Sequence, residues 1–264
     1  MSRPLGRPLE GRIALVTGAS RGVGKGIALG LAEAGATVAL TARTLHPRDG
    51  APLPGSLEET VAEIEARGGH GVAFGCDHAD DDAVARVIAR VEGEVGPIEV
   101  LVNNVFAVPD GPLFDTPFWA QPIAQWDTMH TIGLRSHYVA TVHAAPPMIA
   151  RGRGLVVHVS SFGGGQYAVS VAYGVGKAGV DRMAKDMAHE LRPHGVACVS
   201  LWPGIVATER LEAMGDASPF PLRHAQRPVL SGRAVAALAA DPSLLDKTGR
   251  VLVVADLARE YGFT

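Results

Sequence analysis

Arg12-Ile13-Ala14-Leu15-Val16-Thr17 is an apolar run long enough for a buried strand and too short for a helix. It runs straight into Thr17-Gly18-Ala19-Ser20-Arg21-Gly22-Val23-Gly24, after which Ile27, Ala28, Leu31, Ala32 and Ala34 continue at helical spacing. Few architectures accept a strand that turns through glycines directly into a helix. Gly18 permits the tight turn, while Gly22 and Gly24 let the backbone approach a pyrophosphate at the helix N-terminus, where unpaired N–H groups favour an anion. The spacing is G-x-x-x-G-x-G, not the G-x-G-x-x-G of other dinucleotide folds.

Strand-like runs recur at 12–17, 37–42, 71–76, 98–102, 154–160, 196–202 and 250–254. Helical patterns at 23–34, 57–67, 80–93, 125–150, 173–192 and 232–240 separate most of them. That alternation predicts an α/β fold: a Rossmann-type, doubly wound parallel sheet of about seven strands with helices on both faces. No internal repeat or composition break divides residues 1–264, so a single domain is expected. Pro47 to Pro54 loosens the connection after the second strand, and 106–125 is an insertion carrying Pro109, Pro112, Pro117 and Pro122 with Phe114, Phe118 and Trp119. Ligands of open α/β sheets bind beyond the carboxyl ends of the strands. Those aromatics therefore either wall a substrate pocket or pack the loop onto the body.

Apolar content of 47% suffices for a core, and the net charge of −3 comes without runs of like charge. Clustered Lys and Arg with interleaved aromatics are missing, which argues against a nucleic-acid partner. Cys76 and Cys198 read as small buried hydrophobes. No apolar stretch reaches about 18 residues, and Met1 to Arg12 lacks the apolar segment of a signal peptide. A cytoplasmic protein without a membrane span is expected. The ten histidines show no H-x-x-x-H, nor is there a Cys-x-x-Cys, so no metal site is expected.

The chemistry is carried by Ala172-Tyr173-Gly174-Val175-Gly176-Lys177, with Ser160-Ser161 closing the apolar run before it. Helix positions i and i+4 share a face with Cβ atoms roughly 5–6 Å apart, so the ammonium lies near the phenol. A phenol titrates near 10 in water, about three units too high for proton transfer at neutral pH. A cation beside it favours the phenolate and lowers that value. With a serine hydroxyl to grip a carbonyl oxygen, the set suits proton transfer on an alcohol or carbonyl and needs a hydride carrier.

Taken in order, Thr17-Gly18-x-x-x-Gly22-x-Gly24, Asn103-Asn104, Ser160-Ser161, Tyr173-x-x-x-Lys177 and Pro203-Gly204-Ile205-Val206-Ala207-Thr208 resemble the motifs of the short-chain dehydrogenases/reductases, from about Gly11 to Val254. Gly133 to Tyr138, Tyr173 to Ala178, Val199 to Val206 and Asp256 to Gly262 resemble the member-1 type of that family more closely. The resemblance implies that Tyr173 is the general acid in reduction and the base in oxidation. It implies that Lys177 lowers the phenol's pKa and binds the nicotinamide ribose. The family's strand register places the catalytic serine at Ser161. The usual serine-to-tyrosine separation of 13 would instead give Ser160, because Ser161 and Tyr173 are 12 apart. Ser161 is the preferred assignment, since side-chain alternation holds register while the Gly163-Gly164-Gly165 loop can lose a residue.

The cofactor residues implied are Gly18, Ser20, Arg21, Gly22, Val23 and Gly24 in the turn, Asp77 at the adenine, Asn103 supporting the neighbouring backbone, and Pro203, Gly204, Val206 and Thr208 at the carboxamide and phosphate. Asp77 has a second reading as a turn aspartate before the next helix. Two positions depart from the family. Asn103-Asn104-Val105-Phe106 replaces Asn-Asn-Ala-Gly, and Gly133 stands where a helix asparagine would hold a water against the lysine. Water alone, or His130 or His137, would then complete the proton path.

An acid ending the second strand holds the ribose of NAD, whereas a nearby arginine accommodates the extra phosphate of NADP. Here Ala42 takes the acidic position and Arg43 follows it, with Arg21 in the turn. The expected cofactor is NADP(H) in preference to NAD(H). A second insertion, 209–230, carries Leu211, Met214, Phe220, Pro221 and Leu222 and aligns with the family's mobile substrate segment, which suggests an apolar ketone, aldehyde or secondary alcohol. Related folds pair through two long helices, here 125–150 and 173–192, so a homodimer or homotetramer is expected. The rival readings are a regulatory NADP(H)-binding protein without turnover, and an epimerase or dehydratase that returns the hydride to the same molecule.

Overall fold

A computed structural model describes residues 6–111, 114 and 116–264. Met1 to Leu5, on which part of the leader reading fell, and Pro112 of the first insertion lie outside the described residues. The described strands are β1 (Ile13–Thr17), β2 (Thr37–Ala42), β3 (His70–Gly75), β4 (Ile98–Asn103), β5 (Gly154–Val159), β6 (Val196–Trp202) and β7 (Val251–Val253). They form one parallel sheet in the order β3-β2-β1-β4-β5-β6-β7. Five of the seven are apolar on both faces, as strands covered by helices on both sides must be.

Three helices, α1 (Gly22–Glu33), α2 (Leu57–Ala66) and α3 (Asp81–Glu94), serve the first half of the sheet. Ser56 and Asp80 start α2 and α3 by accepting the N–H groups of Glu59 and Ala83. The helix expected at 125–150 runs without interruption from 123 to 151, as α4 (Ile123–His130), a π-helical turn over Thr131–Arg135, and α5 (Ser136–Arg151). Next come α6 (Val171–Leu191), capped by Ser170, and α7 (Glu209–Met214), capped by Thr208. Last are α8 (Pro228–Ala240) and α9 (Val254–Tyr261). The chain turns helical at Val254, where the sequence pattern reads as the last strand residue.

Apolar side chains of α1, α8 and α9 pack one face of the sheet, and those of α3, α5 and α6 pack the other. Strand order reverses between β1 and β4, which opens a crevice at their carboxyl ends. The α1–α8 contact is backbone to backbone. A Cβ on Gly30 would come within 2.5 Å of the Gly232 carbonyl carbon and 2.7 Å of Arg233 N. Neither helix can yield without lifting off the sheet. Gly30→Ala is therefore expected to lower Tm by about 5–10 °C, roughly 2–3 kcal/mol. Gly93→Ala on α3, where an added Cβ meets open space, should leave Tm unchanged or raise it. Thermal unfolding of both variants checks this.

Candidate active site

The crevice is a cleft of about 390 Å³ bordered by the glycine turn, by Ala42, Arg43 and Thr44 after β2, by Asp77 and His78 after β3, and by Asn104 to Val108 after β4. Gly18, Ser20, Arg21, Gly22, Val23 and Gly24 all line it. Gly18 sits at φ +69°, and a Cβ on Gly24 would come within 2.2 Å of the Gly18 carbonyl oxygen. The turn thus needs one glycine for its dihedral and another for closeness. At the N-terminus of α1, the Gly22 N–H already donates to a carboxylate oxygen, Glu209 Oε2, at 2.8 Å. An anion is what this terminus attracts.

At the far side of the cleft Tyr173 Oη donates to Ser161 Oγ at 2.8 Å. Ser160 faces the other way, and its hydroxyl donates to the Lys177 carbonyl at 3.2 Å. Lys177 is buried, and its Nζ donates to the Val159 carbonyl at 3.2 Å and lies 5.8 Å from the Tyr173 ring centre. Burial pulls the ammonium down to about 8, opposed by the charge of Asp181 one turn along α6. Asp181 is itself held by Ser200 Oγ at 2.6 Å and Trp202 Nε1 at 3.0 Å. The Tyr173 phenol is displaced upward by burial, with its bond to Ser161 opposing. No lowering by Lys177 accompanies this, its Nζ lying 5.8 Å from the Tyr173 ring centre and donating to the Val159 carbonyl.

Other expected site residues distribute unevenly. Asp77 lines the cleft and accepts the Ala79 N–H at 3.0 Å, while the capping of α3 falls to Asp80. Thr208 also lines the cleft, followed by Glu209 and Arg210. Pro203, Gly204 and Val206 do not line it, Gly204 N–H donating to Gln226 Oε1 and Val206 bridging to Gln226. Asn103 is fully buried and points away from the cleft, donating to Thr141 Oγ1 at 3.0 Å. Its neighbour Asn104 faces the glycine turn instead and donates to the Thr17 and Gly18 carbonyls. Strand alternation puts only one of the pair on the cleft side.

Neither His130 nor His137 hydrogen-bonds Lys177 directly. Their Nε2 atoms donate to the Ala172 and Val105 carbonyls, both at 3.1 Å. The insertion aromatics also divide. Phe118 and Trp119 are exposed, whereas Phe114 meets Phe220 of the second insertion edge-on at 6.2 Å.

The model of the short chain dehydrogenase family matches residues 12–218. The chain belongs to that family. It is of the dehydrogenase/reductase SDR family member 1 type. The mouse protein of that name is 44% identical over 97% of this chain and 83% of its own length, and the human one is 43% identical over the same shares. A solved metagenomic short-chain oxidoreductase, in complex with NADP, is 31% identical with a TM-score of 0.74 and covers 93% of this chain and 97% of its own. This short-chain dehydrogenase is an oxidoreductase, and its glycine cradle and anion-ready helix terminus fit a nicotinamide dinucleotide.

Asn104, Asp181 and Glu209 escaped the sequence reading. The asparagine was visible beside Asn103, but which of the two faces the cleft depends on the pleat. A further group lies behind Asn103, where the His137 and His158 rings stack 5.7 Å apart and His78 shares a 2.8 Å hydrogen bond with Thr41. Burial drives His78 down to about 4, His158 to about 3, and His137 well below 6.5. Each folded value lies below the unfolded one, so the unfolded chain binds protons that the folded chain does not. Their contribution is complete above about pH 6.5 and is lost as pH falls toward 4, by up to about 1.4 kcal/mol per pH unit for each ring. Urea unfolding at pH 7, 5.5 and 4.5 should therefore show two or more protons taken up on unfolding, and His158→Gln should remove about one. A flat profile would contradict this.

Proposed function

We propose that this protein is an NADP(H)-dependent reductase that interconverts an apolar ketone or aldehyde with its alcohol, with Tyr173 as the acid/base. The observation that carries the reading is the 2.8 Å contact between Tyr173 Oη and Ser161 Oγ above the buried Lys177. Two hydroxyls at that separation can both turn onto one carbonyl oxygen. NADP(H), when bound, supplies and accepts the hydride. In reduction, Tyr173 Oη gives its proton to the substrate oxygen as negative charge develops there, and Ser161 Oγ–H donates to the same oxygen. Burial displaces the phenol upward, so it is protonated at neutral pH, the form a general acid needs in reduction. The Lys177 ammonium would stabilise the phenolate left behind and bind the nicotinamide ribose.

The choice of NADP(H) rests on charge. Arg43 is exposed at the rim of the cleft, forms no ion pair among the described residues, and follows Ala42 where a carboxylate would repel a phosphate. Arg21 is less available, since its guanidinium donates to the Gly55 carbonyl at 2.8 Å. Glu209 must leave Gly22 when the pyrophosphate arrives, which links cofactor binding to the start of α7. The apolar character of the substrate is drawn from Phe114, Phe220, Leu211 and Met214. Pairing of two copies through α5 and α6 is supported by exposed Tyr138 and Val142 on that face.

The test is NADPH oxidation across a panel of apolar ketones, aldehydes and dicarbonyls. Tyr173→Phe should lose turnover by about 10²–10⁴-fold, and Ser161→Ala by about 10²–10³-fold, while Ser160→Ala stays within a few-fold. If Ser160→Ala is the dead variant, the serine assignment is reversed. NADPH binding without turnover in any protein would favour the regulatory reading instead. In the same assay Arg43→Ala should raise KM for NADPH about tenfold or more and leave NADH unaffected. Equal efficiency with NADH in the unaltered protein would remove the cofactor claim.

A further inference from the structure

Phe106 and Gly133 are 27 positions apart in sequence but occupy a single site. Phe106 leaves the end of β4 half-buried, and its ring covers the π-helical turn between α4 and α5. A Cβ built on Gly133 would lie 2.6 Å from Phe106 Cδ2 and 2.9 Å from Cε2. Gly133 has ordinary helical backbone geometry, so what excludes a side chain there is the ring alone. The same ring meets Tyr173 edge-on, with centroids 5.8 Å apart and planes at 90°. Its face lies 4.9 Å from Lys177 Nζ, closer than the 5.8 Å that separates Nζ from the Tyr173 ring. An ammonium has three donors, and here one of them is committed, to the Val159 carbonyl.

We propose that Phe106 is the positioning residue of the Tyr173–Lys177 pair, and that Gly133 is glycine in order to admit it. The ring fixes the Tyr173 side chain from one side. It excludes water from Nζ and offers a quadrupole in place of a hydrogen-bond acceptor. The two departures from the family pattern are one substitution in two halves. An aromatic ring from the loop after β4 occupies the volume over the helix, and the helix gives up its side chain to make room. Around Lys177 the remaining titratable groups are Tyr173 and Asp181 on its own helix, His137 on α5 and His158 on β5. Burial keeps both histidines neutral. Burial is therefore the main opponent of the charge and Asp181 its main support, and the Phe106 ring, 4.9 Å from Nζ, is one wall of that burial. The kinetic meaning of this pair rests on the reductase reading above, but its packing and its titration do not.

Two measurements test it without relying on turnover. The first is a thermal cycle. Gly133→Ala should lower Tm by about 4 °C or more in the native background, because the ring must swing away. In a Phe106→Ala background the same change should leave Tm unchanged or raise it, since alanine is the better helix former. An equal loss in both backgrounds would overturn the pairing. The second is the titration of Lys177, followed by NMR of its Cε and assigned with Lys177→Met. Its midpoint should lie near 8 and rise by about one unit or more in Phe106→Ala as water reaches Nζ. Phe106→Leu keeps the volume filled and should hold the midpoint within about half a unit of native. A midpoint unmoved in Phe106→Ala would overturn the positioning role. Retained turnover in Tyr173→Phe would defeat the reductase reading alone and leave both of these results standing.

Discussion

A lysine whose side chain is withdrawn from water must be compensated on every side, and Lys177 organises the reactive corner of this molecule for that reason. Its ammonium has a carbonyl at the end of β5, a carboxylate one turn further along α6, and the face of an aromatic ring. Each partner comes from a different segment, so the charge is tolerable only when the loop after β4, the end of β5 and α6 are all in place. Asp181 is tied in turn to Ser200 and Trp202 of β6. The electrostatic support of the site thus runs sideways from the loop after β4 past β5 to β6.

The opposite wall of the cleft works by removal rather than addition. The glycine turn brings bare N–H groups to the crevice at the carboxyl ends of β1 and β4, and Asn104 pins that turn through the Thr17 and Gly18 carbonyls. Glu209 lends a carboxylate oxygen to Gly22, so the anion-binding terminus of α1 is coordinated by the segment that also begins the second insertion. Phe114 and Phe220 join the two insertions edge-on. The start of the second insertion is thus tied to the glycine turn through Glu209, and its middle to the first insertion through Phe220.

Much of this was readable along the chain. Period and spacing located the strands, because apolar runs buried on both faces leave little ambiguity. The Tyr173–Lys177 spacing and the glycine turn are local features of the kind sequence displays well. The serine assignment also agrees in geometry with the strand register, since Ser161 rather than Ser160 meets the phenol. The π-helical turn at Thr131–Arg135 was not readable, because the helical pattern of the sequence runs through it unchanged. Asn103 and Asn104 are equivalent in sequence, and only the pleat of β4 assigns one to the interior and one to the turn.

Sequence by itself determined the parallel α/β architecture, the glycine turn and the Tyr173–Lys177 spacing. These depend on residues close together in the chain and on the periodicity of burial. Tertiary structure alone decided the surroundings of those side chains. It buried Lys177, turned the phenol toward Ser161, and laid a ring from the loop after β4 over a glycine of the next helical segment. Those outcomes depend on contacts between elements far apart in sequence, and on the loss of water that such contacts impose. No local pattern records that loss.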